Sequence, residues 1–504
     1  MAPPYASFVS ELKEHGLLKS VSEVLHWDEQ TQMPPKAAGH RGEQVALLAK
    51  MLHAKFTSPR FGDLLAAAEA ALPRGAEIDS DEAVNVRETR RSYDRARKLP
   101  ADLVEELART GVLAQQAWAE ARSKNDYPAF RPWLEKIILL KRREADCIGY
   151  ASGNRYDALL DEYEPGATAA DVKRTFDALR GPLVDLVRKI GQSPKKAPLD
   201  VLERQYPAAA QERLARAAAA AVGFDFGAGR LDTSTHPFCT GLGPGDTRMT
   251  TRYDERYFGD AFFGVLHETG HALYDQGLPA EHFATPLGEA VSLGIHESQS
   301  RMWENLVGRS RAFWRHFMPQ ARQAFPQALA GVSDDDWHFA VNDVRPSFIR
   351  TEADEATYNL HVMLRFELEQ AMLSGEVGAA DVPAAWNERM KNYLGLTPPD
   401  DARGCLQDIH WSGGAIGYFP TYTLGNLYAA QLFEQARKDL GDLDAMFARG
   451  EFAPLLGWLR KNIHSRGKRY LARDLVRRVT GSDLSPEPLL RHLRAKAGEL
   501  YGVS

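Results

Sequence analysis

Most of the chain repeats apolar residues at intervals of three and four, the period of a helix with one buried face. SFVSELKEHGLLKSVSEVLHW (7–27) sets Phe8, Leu12, Leu17, Val21 and Leu25 roughly along one stripe. QVALLAKMLHAKF (44–56), LVEELARTGVLAQQAWAEAR (103–122) and AWNERMKNYLGL (385–396) carry the same period, and 172–190 and 427–447 are further helix candidates. Between the periodic stretches lie Pro and Gly. The clearest loop is SPKKAPLDV (193–201), where Pro194 and Pro198 interrupt any helix. One region departs from the helical period. RLDTSTHPFCTGLGPGDTRMTTRYDE (230–255) is rich in Thr and contains a GLGPGD turn cluster, which predicts two short strands joined by that turn. The pattern therefore predicts a mainly α chain with a small β-sheet just ahead of the segment AFFGVLHETGHALYDQG (261–277).

At 504 residues the chain is long enough for two domains or for one large domain with lobes; no internal repeat or long linker separates parts of it. Its 44 % hydrophobic and 26 % charged residues are ordinary for a globular protein. A net charge of −6 without basic clusters argues against nucleic acid and anionic membrane surfaces as partners. Three cysteines, Cys147, Cys239 and Cys405, form no disulfide framework or structural zinc pattern and suit a reducing compartment. The N-terminal segment has no secretory h-region, and the apolar run near Ala217–Phe224 is far too short to cross a bilayer, so a cytoplasmic location is expected.

The chemistry concentrates in HETGH (267–271). On a helix, residues four apart project from one face, so His267 and His271 can reach one metal ion while Glu268 points beside them. A carboxylate there can hold a metal-bound water without being a ligand, the arrangement metal-assisted hydrolysis requires. Phe258, Phe262, Val265, Leu266 and Leu273 form an apolar stripe that anchors this helix in a core, and the two histidines share a different face with Phe263. The plainer alternative is a pair of core histidines. A catalytic zinc site needs a third protein ligand and an open position. The eleven-residue pattern with a third histidine is absent, because Tyr274 and Gly277 stand where Gly and His are needed. A carboxylate on a following helix is the other common solution. LGEAVSLGIHESQSRMWENLVG (287–308) reads as helix-like and offers Glu289, His296, Glu297 and Glu304. Glu297 lies 26 positions after His271 and Glu289 lies 18 after it; spacing does not choose between them.

Several stretches together resemble the carboxypeptidase Taq family of zinc metallocarboxypeptidases. HETGH fits its zinc helix, and HESQS (296–300) its third-ligand motif, which assigns Glu297. HPF (236–238), DTRMT (246–250), IRTEADEATYNLH (349–361), GCLQDIHW (404–411), FPTY (419–422) and WDEQTQMPP (27–35) also match in order, so the likeness covers nearly the whole chain. The resemblance implies a single catalytic domain over residues 1–504 with a large two-lobed helical fold around a long substrate cleft, similar in outline to angiotensin-converting enzyme and neurolysin. It implies stepwise release of C-terminal residues from peptides, with broad preference and poor action at proline. It also implies one Zn per chain, with Co as a possible substitute, and a homodimer.

The likeness to those cleft enzymes nominates His410 and Tyr422 as donors to the developing oxyanion, with Tyr418 as the alternative phenol. The plainer reading of His410 and Trp411 is the packing of a buried turn. An exopeptidase must also receive a free carboxylate, for which an arginine fork is the matching group. Arg350 is the first candidate, against the alternative of an ion pair with Glu352 or Asp354; Arg248 is the second. His236 is a candidate contact for substrate or for a metal-bound water. The strand around Thr247–Arg252 is a candidate for pairing with an extended peptide by β-addition. Two competing functions remain at this point. One is a neurolysin-type oligopeptidase, which needs no free carboxylate. The other is a helical scaffold with structural histidines. Metal content separates the scaffold from the enzymes, and comparison of free-acid with amidated peptides separates the two enzymes.

Overall fold

A computed structural model of the chain describes residues 3–73 and 77–503, so the expected 1–504 domain includes residues 1–2, 74–76 and 504 that lie outside the described ones. Twenty α-helices and one three-stranded sheet are present among the described residues. The chain forms two compact units, each drawn from three segments. The first comprises Met1–Arg97, Pro198–Val341 and Leu432–Asp483, and the second Lys98–Ala197, Asn342–Gln431 and Leu484–Ser504. The proline-broken loop 193–201 contains the boundary at Ala197–Pro198. No described helix is long and apolar enough to cross a membrane, and all three cysteines are free.

In the first unit, the helix Gly259–Asp275 carries HETGH. Its predicted apolar stripe is buried throughout, at Phe258, Phe262, Val265, Leu266 and Leu273. Phe258 stacks on Phe262 with centroids 5.2 Å apart and meets Trp337 edge-on at 4.9 Å; Trp314 packs at 5.2 Å from Phe262. Burying side chains of this size is worth roughly 1.5–3 kcal/mol each, so the helix is fixed from its back by an aromatic core.

The predicted hairpin forms as β2 (Cys239–Gly243) and β3 (Asp246–Thr251), antiparallel, with Cys239 opposite Met249. Gly243 and Gly245 hold positive φ around the turn, as its Gly-Pro-Gly content requires. A further strand, β1 (Gly229–Thr233), runs parallel to β3 with Gly229 opposite Thr247. The order is therefore β1-β3-β2. This corrects the expectation of β-addition at Thr247–Arg252: β3 is the central strand, its backbone is paired on both sides, and no edge there is open to a peptide. The sheet meets the motif helix where the Thr269 hydroxyl lies 3.6 Å from Met249 Sδ.

Two other expectations change in detail. Residues 4–31 are helical, but only Phe8 and Leu12 of the proposed stripe are buried; Leu17 is 58 % and Val21 49 % exposed. The step from Leu12 to Leu17 is five residues, which carries Leu17 about 180° around the helix from Phe8. The candidate 427–447 divides into Pro420–Leu440 and Leu443–Ala448, broken at Gly441 with φ of 89°. The remaining helix expectations are met by Ala38–Phe56, Ala101–Lys124, Ala169–Gln192 and Val382–Leu394. In the second unit, Thr357–Ser374 is buried along most of its length and carries His361, Arg365 and Glu369 into the interior.

Candidate metal centre

After the motif helix the chain turns through residues 276–291, and Ser292 caps a new helix, Leu293–Arg301, by accepting the Ile295 N–H at 3.1 Å. A single π-helical stretch, Met302–Val307, follows it. Glu289 lies in extended backbone ahead of the cap, so it is not on the helix that the sequence suggested, and its carboxylate pairs with Lys468. Glu297 and Glu304 are the carboxylates that reach the motif histidines. The two helices approach closely because residue 270 is glycine: a Cβ there would lie 2.5 Å from the backbone oxygen of Gln299 and 2.5 Å from Ser300 Cα.

His267, His271 and Glu297 offer one donor atom each, all within 4.8 Å of one another. Glu297 Oε2 lies 3.7 Å from His267 Nε2 and 3.4 Å from His271 Nε2. Neighbours set which ring nitrogens are free. His267 Nδ1 faces Glu304 Oε2 at 2.9 Å, so the proton sits on Nδ1 and Nε2 keeps its lone pair. His271 is oriented through a longer relay. His296 Nε2 faces Asp275 Oδ1 at 3.1 Å and donates to it, which leaves His296 Nδ1 as an acceptor for His271 Nδ1–H at 2.6 Å. His271 Nε2 is thereby also bare. Arg301 Nε donates to Glu297 Oε1 at 2.7 Å, on the oxygen away from the histidines. Two neutral imidazoles and one carboxylate, each fixed by an outer partner, fit a divalent zinc-like ion.

The electrostatics agree with that donor set at Glu297 and His271, whereas His267, without an ion, is shifted toward its protonated form. Burial alone would raise the Glu297 carboxyl, but Arg301 and the histidines outweigh it and hold the group well below its ordinary range. Glu304 is similarly brought to about 2, with Arg301 and His267 overcoming burial. Burial pushes His271 down to about 4, which keeps it neutral. His267 moves up, because Glu297 and Glu304 outweigh its burial. Burial raises Glu268 to about 7, against the opposing pull of His267.

The second unit gathers a different set. Arg350 is only 4 % exposed. Its Nε and Nη2 donate to Asp408 Oδ1 at 3.0 and 2.9 Å, and Nη1 donates to the Tyr358 hydroxyl at 2.7 Å. The alternative of a pair with Glu352 or Asp354 is thus replaced by Asp408, 58 residues away. Arg365 takes the other oxygen of Asp408 at 2.6 Å and Gln407 Oε1 at 2.8 Å. His410 Nε2 lies 3.2 Å from the Tyr422 hydroxyl, and Tyr418 packs 5.5 Å from His410 and 5.3 Å from Tyr422. Burial, with Arg350 nearby, holds His410 neutral at about 3. A guanidinium has five N–H groups, so Arg350 retains one on each Nη for a further acceptor.

Arg248 is committed elsewhere. It binds Asp246, two positions back on the same face of β3, through Nε at 2.9 Å and Nη2 at 2.8 Å, and lies 4.4 Å over the Trp27 ring. The WDEQTQMPP and DTRMT stretches are therefore joined by this stack. His236 is exposed, and the Ser234 hydroxyl donates to its carbonyl at 2.7 Å. Sequence reasoning did not single out Asp275, Arg301, Arg365 or Asp408. The available signals were Arg301 four residues after Glu297, and an arginine inside the otherwise apolar run VMLRF (362–366).

Comparison with known proteins extends this picture. The sequence profile of the carboxypeptidase Taq (M32) metallopeptidase family matches residues 7–497. The chain is 48 % identical to thermostable carboxypeptidase 1 of Thermus thermophilus over 99 % of both chains. It is 38 % identical to carboxypeptidase 1 of Bacillus subtilis over 96 % of this chain and 97 % of the other. Among solved structures, the M32 carboxypeptidase of Deinococcus radiodurans R1 superposes with a TM-score of 0.95 at 40 % identity, over 99 % of this chain and 100 % of that one. The histidine pair, the carboxylate beside it and the order of motifs along the whole chain thus have one common explanation: the chain belongs to the carboxypeptidase Taq (M32) metallopeptidase family and is a peptide-bond hydrolase.

Proposed function

We propose that the protein is a zinc carboxypeptidase that releases C-terminal residues from peptides with broad preference and poor action at proline, working as one catalytic domain in a homodimer. The convergence of His267 Nε2, His271 Nε2 and Glu297 Oε2 beside a buried Glu268 carries this reading. When bound, the ion supplies Lewis acidity to a water and to the scissile carbonyl. Glu268 takes a proton from the attacking water and delivers it to the leaving amine. Burial raises the Glu268 carboxyl toward the ambient pH, where an acid–base group works best, and beside a bound cation it returns toward the ionised form that accepts the proton. Glu304 and His296 keep the two imidazoles in the tautomers that present Nε2. His410 and Tyr422 donate to the oxyanion, with Tyr418 as the alternative phenol; a neutral His410 can do so without adding a charge. The two remaining N–H groups of Arg350 receive the terminal carboxylate. His236 is the more accessible substrate contact, and Arg248, tied to Asp246 and Trp27, the less available one. Co can replace Zn in such a set of donors, and the absence of a disulfide is compatible with cytoplasmic residence.

The test combines metal analysis with Glu268→Gln. One zinc per chain is expected in both proteins, with kcat lowered about two to four orders of magnitude in the variant. Product masses from a free-acid peptide should show a ladder shortened from the C-terminus. Near-normal turnover of the variant, or internal cleavage alone, would sink the proposal.

A further inference from the structure

In the second unit a cavity of about 290 Å³ is lined by the helices Ala101–Lys124 and Tyr127–Ile148, by Glu162 and Tyr163, and by the turn at Gly413–Ala415. The residues to which catalytic or substrate-binding roles are assigned above do not line it. Its volume is about ten times the share of one water molecule in the liquid, yet below that of most drug-sized ligand pockets, so it suits one small molecule rather than a length of peptide.

The lining has three kinds of surface. Leu107, Ile137 and Leu140 are aliphatic. Lys141 and Glu144, nearly one helical turn apart, form an ion pair at 2.5 Å with each residue only 5 % exposed. Thr110 is 2 % exposed, and its hydroxyl has no hydrogen-bond partner among the described residues. Each polar feature has a cost unless something answers it. A buried ion pair gives up hydration on both sides. An ammonium has three N–H groups, and one carboxylate partner does not occupy all of them. A buried hydroxyl without a partner is uncommon in folded proteins and calls for a ligand or an ordered water.

A ligand that answers all of these carries an anionic group for Lys141 and Thr110, and a cationic group for Glu144 and the more exposed Glu162. The two groups must lie a few ångströms apart, and a compact aliphatic portion must meet Leu107, Ile137 and Leu140. We propose that this cavity is a binding site for a free aliphatic α-amino acid in its zwitterionic form. The ligand chemistry follows from the cavity alone; the inference rests on the proposed function only for the source of the ligand, because a carboxypeptidase releases such molecules as products. The cavity is then a product site whose lining includes no residue of the metal centre.

Isothermal titration of the zinc-loaded full chain with L-leucine tests this. Saturable binding is expected. It should weaken about tenfold to a hundredfold in the double variant Lys141→Met/Glu144→Gln, the loss appropriate to a charge-assisted hydrogen bond. Changing both partners avoids leaving one buried charge alone. L-leucinamide, without the carboxylate, and 4-methylpentanoate, without the ammonium, should each bind at least about tenfold more weakly than leucine. Absence of saturable leucine binding to the wild type, or unchanged affinity in the double variant, overturns the proposal. Should the double variant not fold, Thr110→Val decides by the same criterion, since it alters no charge. Hydrolysis of a free-acid peptide is measured in parallel. Leucine binding that depends on these residues in a protein without peptidase activity would keep the site and discard the carboxypeptidase reading; peptidase activity without such binding would do the reverse.

Discussion

Gly270 offers the sharpest perturbation of the metal centre, because it offers no donor atom of its own and yet sets the distance between the two helices that carry the proposed ligands. In Gly270→Ala the new methyl carbon would sit 2.5 Å from the Gln299 oxygen, 2.7 Å from its carbonyl carbon and 2.5 Å from Ser300 Cα. These atoms are backbone and cannot swing aside. The helices must part by roughly 0.5–1 Å to restore an ordinary contact. His271 and Glu297 lie on opposite sides of that gap, one and two residues from the collision. Ligand distances around zinc tolerate only about 0.2 Å, so the shift exceeds what the coordination can absorb without new rotamers. The expected result is a fall of about tenfold to a hundredfold in zinc affinity, as for displaced partners of metal ligands, and a comparable loss in kcat/KM. Stability of the metal-free protein should fall by no more than about 2 kcal/mol. Overpacking costs about 1–3 kcal/mol, while alanine gains about 1 kcal/mol over glycine inside a helix. Competition with a chromophoric chelator measures the affinity, and a thermal melt of the metal-free protein measures the stability. Zinc affinity and turnover within a factor of two of wild type would refute the reasoning.

Glu297→Ala should lose zinc and activity together, whereas Glu289→Ala, which releases its ion partner Lys468, should retain both; metal analysis showing the opposite pattern would reverse the ligand assignment. Arg350→Met should lower kcat/KM on free-acid peptides about tenfold to a hundredfold and leave the slow cleavage of amidated peptides nearly unchanged. Equal cleavage of both peptide types by the wild type would instead favour an oligopeptidase. In the second unit, burial acts to raise the Glu355 carboxyl, but His492 at 2.9 Å and Lys496 at 2.6 Å overcome it and hold the group well below its ordinary value. A depressed carboxyl stabilises the fold above its unfolded pKa, and that stabilisation is lost as pH falls toward the folded value. The melting temperature of Glu355→Gln should therefore lie below wild type at pH 7, with the gap narrowing below about pH 4.5; a constant gap from pH 7 to pH 3 would count against it.

The parts of this protein that could be read from sequence are those encoded by short intervals. HETGH places two donors four residues apart on one helix, and the aromatic stripe behind them reports its buried face. The GLGPGD cluster marks the β2–β3 turn because only a few residues accept those backbone angles. Parts set by distant partners were less visible. β1 pairs with a strand that begins after an intervening hairpin arm, so nothing local marks Gly229–Thr233 as a neighbour of β3. Glu289 and Glu297 were equivalent by spacing until Ser292 was seen to start the helix between them. Asp408, which takes both Arg350 and Arg365, lies more than forty residues from either arginine. An apolar count also misled at Leu17 and Val21, where a five-residue step rotates the chain onto its exposed side.

The sharing of Asp408 has a consequence for electroneutrality. Two guanidiniums, one of them wholly buried and the other nearly so, hydrogen-bond to a single carboxylate among the described residues. The amide of Gln407, the hydroxyl of Tyr358 and a backbone carbonyl accept from them without contributing a formal charge. His410 adds nothing to the excess, since it remains neutral there. Glu369, one turn from Arg365, also feels that charge but is raised by burial to about 7; counting only the groups hydrogen-bonded to the two arginines, the cluster is short of one counter-anion, which a small carboxylate would supply. An arriving peptide terminus would then be drawn in by charge compensation as well as by the shape of the arginine fork, and other small anions in solution would compete for the same vacancy in the charge balance.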